Sequence, residues 1–87
     1  MINDTLGNRE GTHGNFEDVA NTTTAIVRAM QNSRNWDELF PVQQQALLMI
    51  AIKAARILSG CAEEPDHWHD IAGYATLVER FVTQADP

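Results

Sequence analysis

The chain has 87 residues, one cysteine and a formal net charge of −6 from six basic and twelve acidic side chains. That length argues for one domain, and Cys61 alone excludes an intramolecular disulfide and a four-cysteine zinc site. The acidic balance argues against nucleic-acid binding, which needs a basic footprint to displace counterions.

The opening "MINDTLGNREGTHGN" is polar, carries three glycines and has no apolar core of a signal peptide. Residues 1–14 are therefore expected to form a flexible arm before a single helical domain over 15–87. The longest apolar run, "ALLMIAI", is far short of the ~20 residues that span a bilayer. The reading is a protein of the (host) cytoplasm with no membrane partner.

A first helix is predicted over 16–31. Phe16, Val19, Ala20, Thr23, Ile26, Val27 and Met30 recur at helical spacing. Asn15 is its natural N-cap, with Asp18 three residues later. Its threonines lower intrinsic helicity, so packing must hold it. "NSRNWDELF" reads as a connector with one turn near Trp36–Leu39.

A second helix is predicted over 41–59, with Pro41 at its first position and Gly60 as its C-cap. "PVQQQALLMIAIKAARILS" is apolar around most of its circumference. A helix of that kind is buried on several sides. Two other helices cannot cover it, so self-association into a helical-bundle oligomer follows, most simply a twofold dimer with a four-helix core. Leu47, Leu48, Ala51, Ile52, Ala55 and Leu58 are the expected core and interface residues.

A third helix is predicted over 66–83, with Trp68, Ile71, Ala72, Ala75, Val78 and Val82 as its main apolar stripe. The fold class is all-α, the second and third helices forming an antiparallel hairpin. A turn centred on Glu63 would set Arg56 opposite Asp70 and Lys53 opposite Gly73. Glycine inside a helix costs about 1 kcal/mol relative to alanine. Close helix packing, or room for a ligand, would explain Gly73.

Three places could carry chemistry. His67 and His69 stand two apart, so on a helix their side chains point about 200° apart and cannot share one ion. His67 is expected in the first turn, partly exposed, and His69 on the solvent face. Lys53 and Arg56 are the only charges on the second helix. They form structural salt bridges, or they face a pocket and bind phosphate oxygens, arginine bidentately and lysine as a point charge. In "EGTHGNFEDVA", glycines flank Thr12 and His13 at a helix start, where free N–H groups can hold an anion. Glu17 and Asp18 in the first turn either cap the helix or hold a divalent cation against a phosphate.

"EGTHGNFEDVA", "AIKAARILSG" and "DHWHDIAGYATLVER" resemble a family of small phage and prophage proteins of unknown function. The similarity spans about Glu10 to Arg80. A looser similarity reaches the all-α nucleoside-triphosphate pyrophosphohydrolases of the MazG type, whose helices present acids to Mg²⁺. That resemblance implies Asp66 and Asp70 as acids of the third helix. Glu17 and Asp18 stand in for the acids that the second helix lacks.

The expectation taken forward is a noncatalytic homo-oligomer binding a nucleotide or other phosphorylated ligand, possible sequestration included. Its ligand-binding set is Lys53, Arg56, His67, Asp70, Tyr74 and His13, with Tyr74 or Trp68 stacking a base. No cofactor is expected. The alternatives are an interaction or inhibitor module acting on a host protein, and a Mg²⁺-dependent pyrophosphohydrolase using Glu17, Asp18, Asp66 and Asp70.

Overall fold

The computed structural model describes residues 10–84, and among them every regular element is helical. Helix α1 spans Phe16–Gln31, a 3₁₀ turn covers Trp36–Glu38, α2 spans Pro41–Ser59 and α3 spans Pro65–Gln84. These bounds fall within a residue of the expected ones. Their caps explain why. The Asn15 side chain accepts from the Asp18 backbone N–H at 3.1 Å, which satisfies one orphan donor of the first turn. Pro41 opens α2, and the Gln43 side chain accepts from the Phe40 N–H at 2.9 Å. The Gly60 N–H closes the far end on the Arg56 carbonyl at 2.8 Å.

Helix α2 is the middle of the fold. It packs against α1 along one side and α3 along another, whereas α1 and α3 share no comparable contact. Alanines make the approach possible, because interaxial distance depends on the side chains at the contact. Ala46, Ala51 and Ala55 are the only buried apolar residues among those described. Leu48 and Ile52 are half-buried, while Leu47 and Leu58 are exposed. Of the expected core and interface residues, the alanines are thus core within the chain, while Leu47 and Leu58 are open to solvent.

Lys53 meets Asp70 near one end of the α2–α3 pair. At the other end the Phe40 and Phe81 rings meet edge to face, with centroids 5.5 Å apart. The Gln44 amide steadies the connector by donating to the Trp36 carbonyl at 2.9 Å. Trp68 is not a core anchor. It is 54% exposed, and its indole N–H donates to the Ala62 carbonyl at 2.6 Å across the α2–α3 connection. A side chain with an apolar body and a polar edge can cap a turn in this way.

Of the expected flexible arm, residues 1–9 lie outside the described residues. The remaining five are docked. Glu10–His13 are helical, the Gly14 N–H returns to the Glu10 carbonyl at 2.9 Å, and Gly14 is buried.

Candidate functional site

The motif residues meet where α2 ends and α3 begins. The Thr12 carbonyl accepts the Cys61 N–H at 3.1 Å and the Nε2–H of His67, also at 3.1 Å. Two donors on one oxygen use both of its lone pairs. The His13 ring packs edge-on against the His67 ring, centroids 4.9 Å apart. His67 is 1% exposed, which corrects its expected place at the protein surface. Residues 12 and 13 cover it, a contact 55 positions away in sequence that helical periodicity does not encode. His67 Nδ1 is buried and without a hydrogen-bond partner.

Two glycines let these backbones touch. Gly14 has φ +87°, and a Cβ on it would lie 2.5 Å from the Ser59 Cβ and 2.8 Å from the Ser59 carbonyl carbon. A Cβ on Gly60 would lie 2.5 Å from the Thr12 oxygen and 2.6 Å from the Gly14 nitrogen. The glycines of "THGN" and "LSG" are thus reciprocal. A side chain on Gly14 would run into Ser59, and one on Gly60 into residues 12–14.

One helical turn further along, Lys53 Nζ and Asp70 Oδ2 are 2.7 Å apart. The Lys53 hydrogen bond, then its charge, hold the Asp70 carboxyl below its ordinary value of 3.8 against the opposing effect of desolvation. The lysine side chain is 12% exposed and the aspartate 40%. The pairing differs from the expected Arg56–Asp70. The midpoint between the helix ends, Ser59 and Pro65, is position 62 rather than 63, which brings Lys53 almost level with Asp70. Arg56 is half-buried and makes no ion pair among the described residues. Gly73 is exposed, and a Cβ there would meet nothing within 4 Å. Packing among the described residues does not account for it.

The other candidates are dispersed. Glu17, Asp18 and Asp66 are exposed in the first turns of α1 and α3. Among the described residues no three His, Cys, Asp or Glu side chains are grouped to hold a metal ion. Glu17, Asp18, Asp66 and Asp70 therefore do not converge on a common point. His69 is exposed, as the helical spacing implies. Tyr74 is half-buried and lines a groove between α2 and α3 with Val42, Gln45, Met49 and Leu77.

A second groove, of ≈ 470 Å³, opens on the opposite side of the α2–α3 contact. Leu39, Leu47, Ile50, Ala75, Val78 and Val82 line it, with Gln43, Ala46 and Glu79. Sequence reasoning placed Leu47 among the core and interface residues and Ala75, Val78 and Val82 on the apolar stripe of the third helix, and missed that they border one open groove. The signal was present in the all-round apolarity of α2. Among the described residues no helix is long and apolar enough to cross a membrane.

These features define a small all-helical domain with a glycine-histidine clasp at one end and open apolar grooves along its middle. The chain belongs to the family DUF6378, a domain of unknown function, which it matches over residues 3–82. No curated protein matches it, and neither does any solved structure.

Proposed function

We propose that this protein is a noncatalytic helical interaction module, which acts by presenting an apolar helix face to another helical surface. The observation that carries this reading is the arrangement of the three helices. Domains ordinarily close a core between two packed layers. Here α2 has a neighbour on each side, yet Leu47 and Leu58 remain open, at 38% and 73% exposed. In this reading α2 and α3 form an antiparallel hairpin, which the Lys53–Asp70 and Phe40–Phe81 contacts at its two ends support. A second helical layer laid over the hairpin would complete the core.

Phosphate binding at Lys53 is the weaker reading. The ammonium already has a carboxylate partner at 2.7 Å, and a phosphate arriving there would have to displace Asp70 or share the site with it. Of the two cations on α2, only Arg56 makes no ion pair among the described residues. The pyrophosphohydrolase reading lacks the acids on α2 that would face a metal.

Calorimetric titration of the full chain against nucleoside mono-, di- and triphosphates, with and without Mg²⁺, tests the proposal. Silence across the panel, together with no release of pyrophosphate, is expected. Saturable binding or turnover that Arg56→Ala abolishes would replace the interaction reading with the ligand reading.

A further inference from the structure

We infer that a second copy of this chain docks against the outer face of α3, antiparallel to it about a twofold axis at Gly73, with Asp66 of each copy paired to Arg80 of the other. The contact lies on α3 and not on the open leucines of α2. It therefore goes beyond the interaction reading and can fail without it.

Gly73 gives the first reason. It stands inside α3, where glycine costs about 1 kcal/mol relative to alanine. It is exposed, and none of the described residues comes within 4 Å of an added Cβ. No positive φ requires it. Gly73 lines a groove of ≈ 570 Å³ on α3, together with His69, Thr76, Leu77 and Arg80. A missing side chain at that place admits a body that comes close to the helix backbone, as a second helix does when its ridge enters a gap.

Charge selects the occupant. Asp66 stands seven residues before Gly73 and Arg80 seven after it, two turns either way, so all three lie on one face. Both charged side chains are exposed, and neither makes an ion pair among the described residues. In an antiparallel pair centred on Gly73, residues equidistant from it meet. Asp66 then meets Arg80 twice, His69 meets Leu77, and the two glycines meet each other, as an isologous contact requires. Leu77, 56% exposed in the protomer, gains cover from the His69 ring. Parallel pairing would set aspartate on aspartate and arginine on arginine, at a cost. Copies at −6 each repel wherever acid meets acid. This face balances one acid against one base, because Asp70 is committed to Lys53 and Glu79 lines the other groove.

Sedimentation of the full chain across micromolar concentrations at low salt is the experiment, with far-ultraviolet circular dichroism as the check on helix content. Wild type is expected at twice the protomer mass. Asp66→Arg sets arginine against arginine and Arg80→Asp sets aspartate against aspartate, so each raises the dissociation constant roughly 10-fold or more. The double variant restores the pairing and with it the affinity. Rescue cannot arise within one chain, because positions 66 and 80 lie about 21 Å apart along the helix. Gly73→Gln fills the approach and also raises the dissociation constant roughly 10-fold or more. In dilute protein, where the copies are apart, the same position gains from a side chain, since none of the described residues meets it. A wild type of monomer mass throughout overturns the inference and leaves the open face of α2 to another partner. A dimer that neither the charge reversals nor Gly73→Gln weakens overturns the choice of face. A double variant as weak as the single ones overturns the antiparallel register.

Discussion

Gly14→Ala is expected to disrupt the clasp between residues 10–14 and the α2–α3 connection. Two costs combine. At φ +87° an L-residue with a Cβ sits in left-handed backbone, at about 1–2 kcal/mol. The added carbon would also lie 2.5 Å from the Ser59 Cβ and 2.8 Å from its carbonyl carbon. One of those atoms is backbone, so relief requires a helix end to move, and overpacking of that kind costs about 1–3 kcal/mol. The sum is about 2–5 kcal/mol, enough to lower the thermal midpoint by roughly 10 °C or more in a domain of this size. That loss cannot exceed the free energy with which residues 10–14 dock, because beyond it the segment lets go. Detachment would strip the Cys61 N–H of its Thr12 acceptor, so amide exchange at Cys61 would accelerate even where the global loss is small. Urea unfolding and hydrogen exchange on the same sample measure both quantities. Stability within about 0.5 kcal/mol of wild type, with Cys61 protection unchanged, would refute the clasp. Gly60→Ala attacks the same contact from the other side, so the double variant should lose less than the two single losses added together.

Gly73→Ala has the opposite sign. Nothing lies within 4 Å of the added carbon, so a gain of about 0.5–1 kcal/mol in urea unfolding is expected from helix propensity; a loss would mean that a partner packs on Gly73. His67→Ala removes a side chain that is 1% exposed together with its bond to the Thr12 carbonyl. It should cost about 2–4 kcal/mol and free the Cys61 amide to exchange; a neutral result would mean that His67 does not hold the segment. The Asp70 carboxyl is depressed when folded, so its contribution is present above its ordinary value of 3.8 and fades as the pH falls through its lower folded value. Acid unfolding curves should therefore show an inflection below that value in wild type, which Asp70→Asn removes. An unchanged curve in the variant would show that Lys53 does not stabilise the ionised form.

Helix placement was legible in the sequence because local chemistry sets it. Asn15, Pro41 and Gly60 mark their termini through hydrogen-bonding and backbone requirements that involve only neighbouring residues. Burial was legible only in part. Periodicity identifies the apolar stripe of α2, but it does not say whether a residue on that stripe meets a helix of the same chain. Ala51 and Ala55 do and are buried, whereas Leu58 on the same helix does not. The α2–α3 pairing missed by about one helical turn, with Lys53 taking the place expected for Arg56. The connection between the helix ends is the five residues 60–64, symmetric about position 62 rather than Glu63. His67 was the largest miss. Its environment comes from Thr12 and His13, and no spacing rule joins residues so distant in sequence.

The clasp has a consequence for assembly. Helices α1 and α3 flank α2 without an extended contact between them, so α2 alone would leave their relative orientation poorly determined. The segment that leads into α1 contacts α2 through Gly14 and Ser59 and α3 through Thr12 and His67. It is therefore a direct tie between the start of α1 and the start of α3. A buried histidine suits that tie better than an aliphatic side chain, because its Nε2–H adds a second donor to the Thr12 carbonyl, which also accepts the Cys61 N–H. Three motifs that look chemical in the sequence thus have a mechanical use. They hold the flanking helices in register around α2. Gly14→Ala should accordingly loosen the start of α1 and the start of α3 together, although the added carbon meets only the end of α2. Unchanged amide protection at the start of both helices, with the clasp shown by exchange at Cys61 to be open, would mean that α2 alone holds them.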